Sequence, residues 1–482
     1  MFELHHLTAL EQGQWLRDGS VSPRELVQHY LDRIERFNGA VGAMTVVEGE
    51  RALARADALH DLVPRAAPLW GIPLADKELV PRAGQRTTFG SRLFAHHIAE
   101  VDDELVQHVD AAGAISLGAT AAPEFGLPSY TESLVSPPAR NPFDPQRGAG
   151  GSSGGAAAAV AAGLLPLAPG SDGGGSIRIP AAACGLVGLK PSRGRIAAGS
   201  GLDRLGGLVV PGPIARTVAD AALLLDALVA GPGGRAATWP FATVAPEHST
   251  APYLAAAIRG EGRFQIGVMT SSPWEGFTEL SIAPEARWAF DLALDALDAL
   301  GHGLDELVLQ TEPEYASHFR TLWMASAAGI PAESPDELAQ LEPLTSWLVQ
   351  QGRALSARSL AASLAWLTAF ERRLIVQLST VDAVLTPALA MTPRPLGWYD
   401  PHDAERNFAQ QVQYTPWTSM INVAGLPAIT VPVGLVPDGF DEPGLPMGVQ
   451  LIGRPGGEAT LLSLAAQLER RFGATKIHPP QW

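Results

Sequence analysis

Apolar positions along the chain switch repeatedly between two periods. Short continuous apolar runs, typical of buried strands, alternate with longer stretches in which apolar residues recur every three or four positions, as on one face of a helix. The pattern predicts helices over 22–38, 50–62, 103–112, 217–230, 284–300 and 457–471, and strands over 43–47, 114–118, 265–269 and 447–453. This alternation favours an α/β fold in which a mixed central sheet is flanked by helices on both faces.

The first of these helices has the clearest boundaries. Ser22-Pro23-Arg24-Glu25 fits a capping box with proline at the first helical position. Val27, Leu31 and Ile34 follow at helical spacing, and Asn38-Gly39 is expected to end the helix.

We expect a single domain over 1–482. A chain of this length corresponds to about three average domains, but α/β enzymes often form one larger unit. Within it, the pattern predicts a helical N-terminal region over 1–65, a core over 66–230 and a mostly helical cap over 305–380. The stretch 231–262 is rich in Gly, Pro and Ala and is predicted to be a surface excursion.

Charge and cysteine content exclude several classes of protein. The 34 basic and 50 acidic residues give a formal charge of −16, which argues against electrostatic binding to nucleic acid or anionic lipid. A single cysteine cannot form an intrachain disulfide, and residues 1–16 lack the pattern of a secretory signal. Residues 148–171 carry no charge, but they are mostly Gly, Ser, Ala and Pro and are too weakly apolar for a membrane span. We therefore expect a cytoplasmic protein.

Two glycine- and serine-rich clusters, GGSSGG at 150–155 and GSDGGGSIRIP at 170–180, form the most unusual local sequence. Such clusters indicate backbone that approaches another group closely or presents its N–H groups. No P-loop string is present, and Ser153 stands where a dinucleotide fingerprint needs glycine. The residues around Ser153 also fit a G-x-S-x-G nucleophile elbow, but the turn-prone stretch 141–147 stands where that motif needs a buried strand.

A serine in such a loop needs a base to become a nucleophile. A lysine can serve as this base when its amine is neutral, and burial favours the neutral amine. Lys77 ends the apolar run 71–77 and is therefore the candidate base.

These features together resemble the amidase signature family. The resemblance covers nearly the whole chain, including the signature stretch over 148–195 and the lysine motif over 71–77. The intervals that separate Lys77, Ser152 and Ser176 are those the family motif expects. Three further strings fit as well, at 212–218, 422–428 and 444–450.

The resemblance implies a Ser–Ser–Lys triad. Ser176 would be the nucleophile and Lys77, in its neutral form, the general base. Ser152, usually held by a cis peptide bond in the family, would relay protons between them. The oxyanion hole would consist of the backbone N–H groups of Gly173, Gly174, Gly175 and Ser176.

The resemblance also predicts roles for several residues outside the triad. Asp172 and Arg178 are expected to pair and brace the glycine loop rather than to transfer protons. Gly173 replaces a larger residue of the family pattern, which would loosen this loop. Ala119 and Ala121 replace a Lys and an Asn, a change expected to widen the pocket or to remove a polar contact to the substrate.

The resemblance implies an amidohydrolase that needs no cofactor, and the histidines lack metal-ligand spacing, so no metal site is expected. Tryptophans in the C-terminal half favour a roomy apolar pocket: Trp323, Trp347, Trp366, Trp398 and Trp417. We expect a small-molecule substrate, an apolar or aryl amide (an anilide) or a carbamate, with esterase activity as a side reaction. A homodimer is compatible with this picture.

The sequence leaves two alternative functions open. The first is the glutaminase subunit of a tRNA-dependent amidotransferase, which is similar in length and motifs. The second is a non-catalytic relative that serves as a binding protein.

Overall fold

The computed structural model describes residues 3–196, 205–230, 252–473, 477–480 and 482, and the structural statements below refer to these residues. Its strands are β1 (Met44–Val47), β2 (Pro73–Lys77), β3 (Ile115–Thr120), β4 (Arg140–Asn141), β5 (Asp144–Gly148), β6 (Leu167–Asp172), β7 (Val187–Lys190), β8 (Val210–Ala215), β9 (Gln265–Val268), β10 (Gly303–Glu306), β11 (Ala383–Pro387), β12 (Ala428–Leu435) and β13 (Pro446–Gly453).

The α-helices lie mostly between these strands. They are α1 (Ala9–Asp18), α2 (Pro23–Val41), α3 (Gly49–Leu62), α4 (Glu104–Ala111), α5 (Gly154–Ala161), α6 (Arg178–Ala183), α7 (Val218–Ala230), α8 (Pro252–Arg259), α9 (Pro284–Ala299), α10 (Tyr315–Ala327), α11 (Pro335–Leu338), α12 (Pro343–Ala354), α13 (Ala357–Leu378), α14 (Ala404–Tyr414), α15 (Ser419–Val423) and α16 (Glu458–Phe472).

The main sheet is mixed, with the strand order β10–β9–β11–β13–β12–β7–β8–β6. The strands β10, β9 and β11 run parallel, whereas the remaining neighbours pair antiparallel. A smaller sheet has the order β1–β3–β2, with β2 parallel to β3. The strand β2 packs beside β6, so the small sheet meets the edge of the large one.

Apolar cores cover both faces of the main sheet. In β13, Leu451 belongs to the larger core, whereas the next residue, Ile452, belongs to a second core. The same change occurs in β11 between Val384 and Leu385. Because neighbouring strand residues point to opposite faces, the two cores lie on opposite sides of the sheet. The predicted α/β class with a mixed, doubly covered sheet is confirmed.

The first long helix begins as predicted but ends later. Ser22 Oγ accepts a hydrogen bond from the Glu25 N–H, and the Glu25 carboxylate accepts one from the Ser22 N–H. The predicted capping box is therefore confirmed. The helix continues through Gly39 to Val41 and ends at Gly42, which has a φ of 61°. The prediction of an end at Asn38-Gly39 was wrong, because the left-handed residue that closes the helix is the later glycine.

The predicted surface excursion over 231–262 is wrong for its last part. Residues 231–251 lie outside the described residues. Residues 252–259 form α8, which packs against α7 and α16 and buries Tyr253, Ala256 and Ala257. This segment is therefore part of the core.

The residues before the first serine cluster also differ from the prediction. Residues 140–148 form the small hairpin β4–β5, not an irregular loop. This hairpin lies outside the main sheet, so it is not the buried strand of a nucleophile elbow. The uncharged stretch that follows contains the fully buried α5. In the described part of the chain, no helix is long and apolar enough to cross a membrane.

Candidate active site

Lys77 is the last residue of β2 and is almost fully buried, with 1% of its surface exposed. Burial disfavours the ammonium form and lowers the pKa of Lys77 to about 7, although the negative charge of Asp172 acts in the opposite direction. At neutral pH, Lys77 is therefore a neutral amine in a large fraction of the molecules.

Ser152 lies in the loop that precedes α5, and the peptide bond between Gly151 and Ser152 is cis. Nζ of Lys77 donates a hydrogen bond to Ser152 Oγ at 2.8 Å. The same nitrogen donates to Ser171 Oγ at 3.1 Å and to the Ser171 carbonyl at 3.3 Å. Two serine hydroxyls thus surround the buried amine.

Ser176 lies in the turn between β6 and α6 and is 6% exposed. Its carbonyl accepts a hydrogen bond from the Ser153 N–H at 3.1 Å, which joins the two serine-bearing segments. Its hydroxyl forms no hydrogen bond with any described residue. The structure therefore brings Lys77 and Ser152 into direct contact and holds Ser176 in the neighbouring segment.

The glycines of the two clusters have different surroundings. A Cβ on Gly151 would lie 2.6 Å from another backbone segment, and a Cβ on Gly155 would lie 2.2 Å from the Ala121 nitrogen. A Cβ on Gly174 would meet its nearest neighbour, Phe319 Cζ, only at 3.9 Å. The first cluster therefore packs backbone against backbone, whereas a Cβ on Gly174 would make only ordinary van der Waals contact with the aromatic side chains of Phe319 and Trp323.

Asp172 and Arg178 form a fully buried ion pair, with Arg178 Nε 3.0 Å from Asp172 Oδ2 and Arg178 Nη2 3.0 Å from Oδ1. Burial alone would raise the pKa of Asp172, but the charge and hydrogen bonds of Arg178 outweigh it and hold the pKa below its ordinary value. Asn422 Nδ2 donates to Oδ1 at 2.8 Å, and Arg178 Nη1 donates to Gln450 Oε1 at 2.7 Å. The carboxylate is thus ionised and fixed in orientation.

The Asp172 carboxylate also binds the glycine loop. Its Oδ1 accepts a hydrogen bond from the Gly175 N–H at 2.7 Å, so this member of the expected oxyanion set is already occupied. The N–H groups of Gly174 and Ser176 make no hydrogen bond with another described residue.

A cavity opens beside Ser176 and encloses a space of about 470 Å³, including its mouth. None of the described residues that line it carries a charge. Its apolar wall consists of Leu127, Pro128, Ile179, Trp274, Phe319, Trp323, Phe408 and Val412, and its polar groups come from Ser129, Gly174, Ser176, Gln411, Thr415, Thr418 and Ser419.

Trp323 is the only one of the five expected tryptophans among the described residues that line this cavity. Trp417 lies in the core and donates its indole N–H to the Thr270 carbonyl. Trp274, which sequence reasoning missed, lines the cavity and donates to Ser419 Oγ at 2.9 Å. A tryptophan that lines a pocket and one that fills a core have the same local pattern in the sequence.

Two expectations about substituted positions need correction. Ala119 and Ala121 are buried, and neither is among the described residues that line the cavity. Ala121 instead pairs with the backbone of Gly155. These alanines therefore form no part of the described cavity wall.

Other groups with reactive side chains lie away from the cavity. Cys184 is buried, which raises the pKa of its thiol well above its ordinary value and keeps it unreactive. Among the described residues, Glu3, His5 and His29 bring three potential metal ligands within 4.8 Å of one another. A guanidinium nitrogen of Arg33 lies 3.8 Å from the Glu3 carboxylate and opposes the charge of a bound cation there.

Comparison with known proteins identifies the family. Residues 25–462 match the family described as Amidase. The chain is 40% identical over 470 residues to the putative amidase AmiB2 of Mycobacterium tuberculosis, covering 96% of this chain and 95% of the relative. It is 32% identical to a glutamyl-tRNA(Gln) amidotransferase subunit of Acinetobacter baylyi, covering 98% of this chain and 97% of that one. The chain belongs to the amidase signature family, and its reaction class is amide hydrolysis.

Solved structures agree with this assignment. The 6-aminohexanoate cyclic dimer hydrolase in complex with its substrate superposes with a TM-score of 0.87 at 28% identity, covering 99% of this chain and all of that one. The described residues therefore have the amidase signature fold, as the sequence motifs predict.

Proposed function

We propose that this protein cleaves the C–N bond of apolar or aryl amides, such as anilides, or of carbamates, through an acyl-enzyme on Ser176. The observation that carries the proposal is the buried Lys77 amine, whose pKa is lowered to about 7 and which lies 2.8 Å from Ser152 Oγ. A neutral amine in this position can accept a proton from a serine hydroxyl at physiological pH.

The reaction begins when the Ser176 hydroxyl attacks the substrate carbonyl. Its proton passes to Ser152 while Ser152 gives its own proton to Lys77, which requires the two hydroxyls to approach within hydrogen-bond distance in the substrate complex. The oxyanion receives hydrogen bonds from the backbone N–H groups of Gly174 and Ser176, and the N–H group of the preceding residue, Gly173, is the third donor of the set. Ser152 then returns a proton to the leaving nitrogen, and water hydrolyses the acyl-enzyme.

The composition of the cavity supports a neutral, apolar substrate. Its described wall carries four large aromatic side chains, Trp274, Phe319, Trp323 and Phe408, and no charge. Burying an unpaired charge against such a wall is costly, whereas an aryl or aliphatic group gains from the transfer out of water.

A glutaminase function is the second candidate because a relative named as part of an amidotransferase is 32% identical. Free glutamine carries an ammonium and a carboxylate, and the described lining offers neither a carboxylate nor a cation to pair with them. The uncharged wall therefore favours the hydrolysis of an apolar amide or carbamate over the hydrolysis of glutamine.

A hydrolysis panel tests the proposed substrate class. Anilides, primary amides, carbamates, esters and glutamine are compared at equal concentrations, with Ser176→Ala as the matched control. We expect turnover of an apolar anilide or carbamate, little with glutamine, and none with Ser176→Ala. Efficient glutamine turnover, or co-purification with the other components of an amidotransferase, would instead establish the glutaminase. A Ser176→Ala variant with full activity would reject the mechanism.

A further inference from the structure

The hydroxyl of Thr418 connects the cavity wall to the glycine loop. Thr418 directly precedes α15 and is 1% exposed. Its Oγ1 donates a hydrogen bond to the Gly174 carbonyl at 2.6 Å, while its other acceptor, the Thr415 carbonyl, is farther away at 3.2 Å. A Cβ on Gly175 would lie 2.7 Å from Thr418 Oγ1, so the loop and Thr418 are tightly packed.

The peptide unit between Gly174 and Gly175 is therefore held at both ends. Its carbonyl accepts from Thr418, and its N–H donates to Asp172 Oδ1 at 2.7 Å. Because a peptide unit is planar and its two polar groups point in opposite directions, these bonds fix the rotation of the plane. The flanking N–H groups, those of Gly174 and Ser176, belong to residues that line the cavity and make no hydrogen bond with another described residue.

The glycine run cannot supply this rigidity by itself. Gly173, Gly174 and Gly175 have no Cβ atoms to restrict their dihedral angles, so external hydrogen bonds must select one conformation. Both external contacts depend on the same short helix. The Thr418 carbonyl accepts from Arg178 Nη2 at 3.1 Å, and Asn422 donates to the Asp172 carboxylate at 2.8 Å.

We propose that Thr418 is a positioning residue that sets the oxyanion donors by holding the Gly174 carbonyl. The inference rests on the proposed function, since it assumes that Gly174 and Ser176 stabilise an oxyanion. Without the hydroxyl, the Gly174 carbonyl loses its partner and the peptide plane can rotate. The donors then spend less time aligned, which slows the chemical step more than it weakens substrate binding.

The test compares Thr418→Val, which keeps the shape of the side chain, with Thr418→Ser, which keeps the hydroxyl. For Thr418→Val we expect kcat to fall about 10- to 100-fold while KM stays within about 3-fold. Inhibition by phenylboronic acid, which forms a tetrahedral adduct on a nucleophilic serine, should weaken in proportion. Thr418→Ser should recover kcat to within about 3-fold of the wild type.

The matched control is Thr87→Val. Thr87 is also buried, and its hydroxyl donates to the Gln85 carbonyl at 3.4 Å, away from the cavity. This variant should keep kcat and boronate inhibition at wild-type values. If Thr418→Val fails to fold, Thr418→Ala and Thr418→Ser give the same comparison of one hydroxyl.

The proposal is overturned if Thr418→Val, or Thr418→Ala in its place, keeps the wild-type kcat, if only KM changes, or if Thr418→Ser fails to recover. In each case, an inactive Ser176→Ala variant would show that the proposed function still holds. Undiminished activity in Ser176→Ala would reject the proposed function itself.

Discussion

Lys77 has to lose its positive charge before it can accept a proton, and the fold arranges this by burial. Nearly all of the side chain is enclosed, and its hydrogen-bond partners are neutral oxygens of Ser152 and Ser171. The nearby Asp172 carboxylate favours the ammonium form of Lys77, but this carboxylate already forms an ion pair with Arg178. Desolvation therefore dominates the pKa of Lys77.

The activity should rise with pH through the pKa of Lys77. Because that pKa is lowered to about 7, the neutral fraction increases across the range from about 6 to 8, and kcat/KM should increase with it. A lysine with an ordinary pKa would place the rise above about pH 9. The measurement is kcat/KM between about pH 5.5 and 9.5 for the wild type and Lys77→Ala. A flat profile together with an active Lys77→Ala variant would exclude lysine as the base.

The sequence placed some site residues more easily than others. Lys77, Ser152 and Ser176 follow from the family resemblance and from the logic of a serine that needs a buried base. Asn422 and Gln450 lie in strings that fit the family, but nothing in those strings says that both residues bind the Asp172–Arg178 pair. The contacts join residues more than 240 positions apart in the chain, which local patterns cannot reveal.

At the scale of elements, helices were easier to predict than strands. The strands β6 and β8 carry Pro169, Pro211 and Pro213 together with glycines, a composition that ordinarily argues against a strand. They pair antiparallel over their whole length near the edge of the sheet, and β6 is the edge strand. Pro169 lies on the edge strand itself, and β8 pairs with β7 only at Ile214 and Ala215, so Pro211 and Pro213 also lie where one side of the strand needs no ladder hydrogen bonds.

The corrected end of α2 gives a test with two glycines three residues apart. Gly39 lies inside the helix, and no atom lies within 4 Å of the position that a Cβ would occupy there, so Gly39→Ala should stabilise the protein by about 0.5–1 kcal/mol. Gly42 has a φ of 61°, and a Cβ there would lie 2.4 Å from the Pro138 carbonyl oxygen. Gly42→Ala should therefore destabilise the protein by more than about 1 kcal/mol, roughly the cost of a strained backbone position.

Thermal unfolding of both variants beside the wild type checks this prediction. The expected order of Tm, from highest to lowest, is Gly39→Ala, then wild type, then Gly42→Ala. If Gly39→Ala lowers Tm, or if Gly42→Ala leaves it unchanged, the helix ends where the sequence pattern placed it, not at Gly42.

At the scale of the whole molecule, the site lies where several separate units meet. The small sheet supplies Lys77, the edge of the main sheet supplies Asp172, and the helical region after β10 supplies Phe319 and Trp323. The glycine loop contributes Gly174 and Ser176 to the cavity, whereas α10 contributes Phe319 and Trp323. The glycine loop therefore performs the proposed chemistry, and the aromatic wall selects an apolar substrate.

The most direct test of the central claim is covalent labelling of the nucleophile. A fluorophosphonate reacts with an activated serine, forming a bond between the serine oxygen and phosphorus with loss of fluoride. We expect intact-protein mass spectrometry to show one adduct on the wild type, peptide mapping to locate it on Ser176, and Ser176→Ala to remain unlabelled. Labelling of Ser176→Ala to the same extent, or an adduct on another residue of the wild type, would contradict the account.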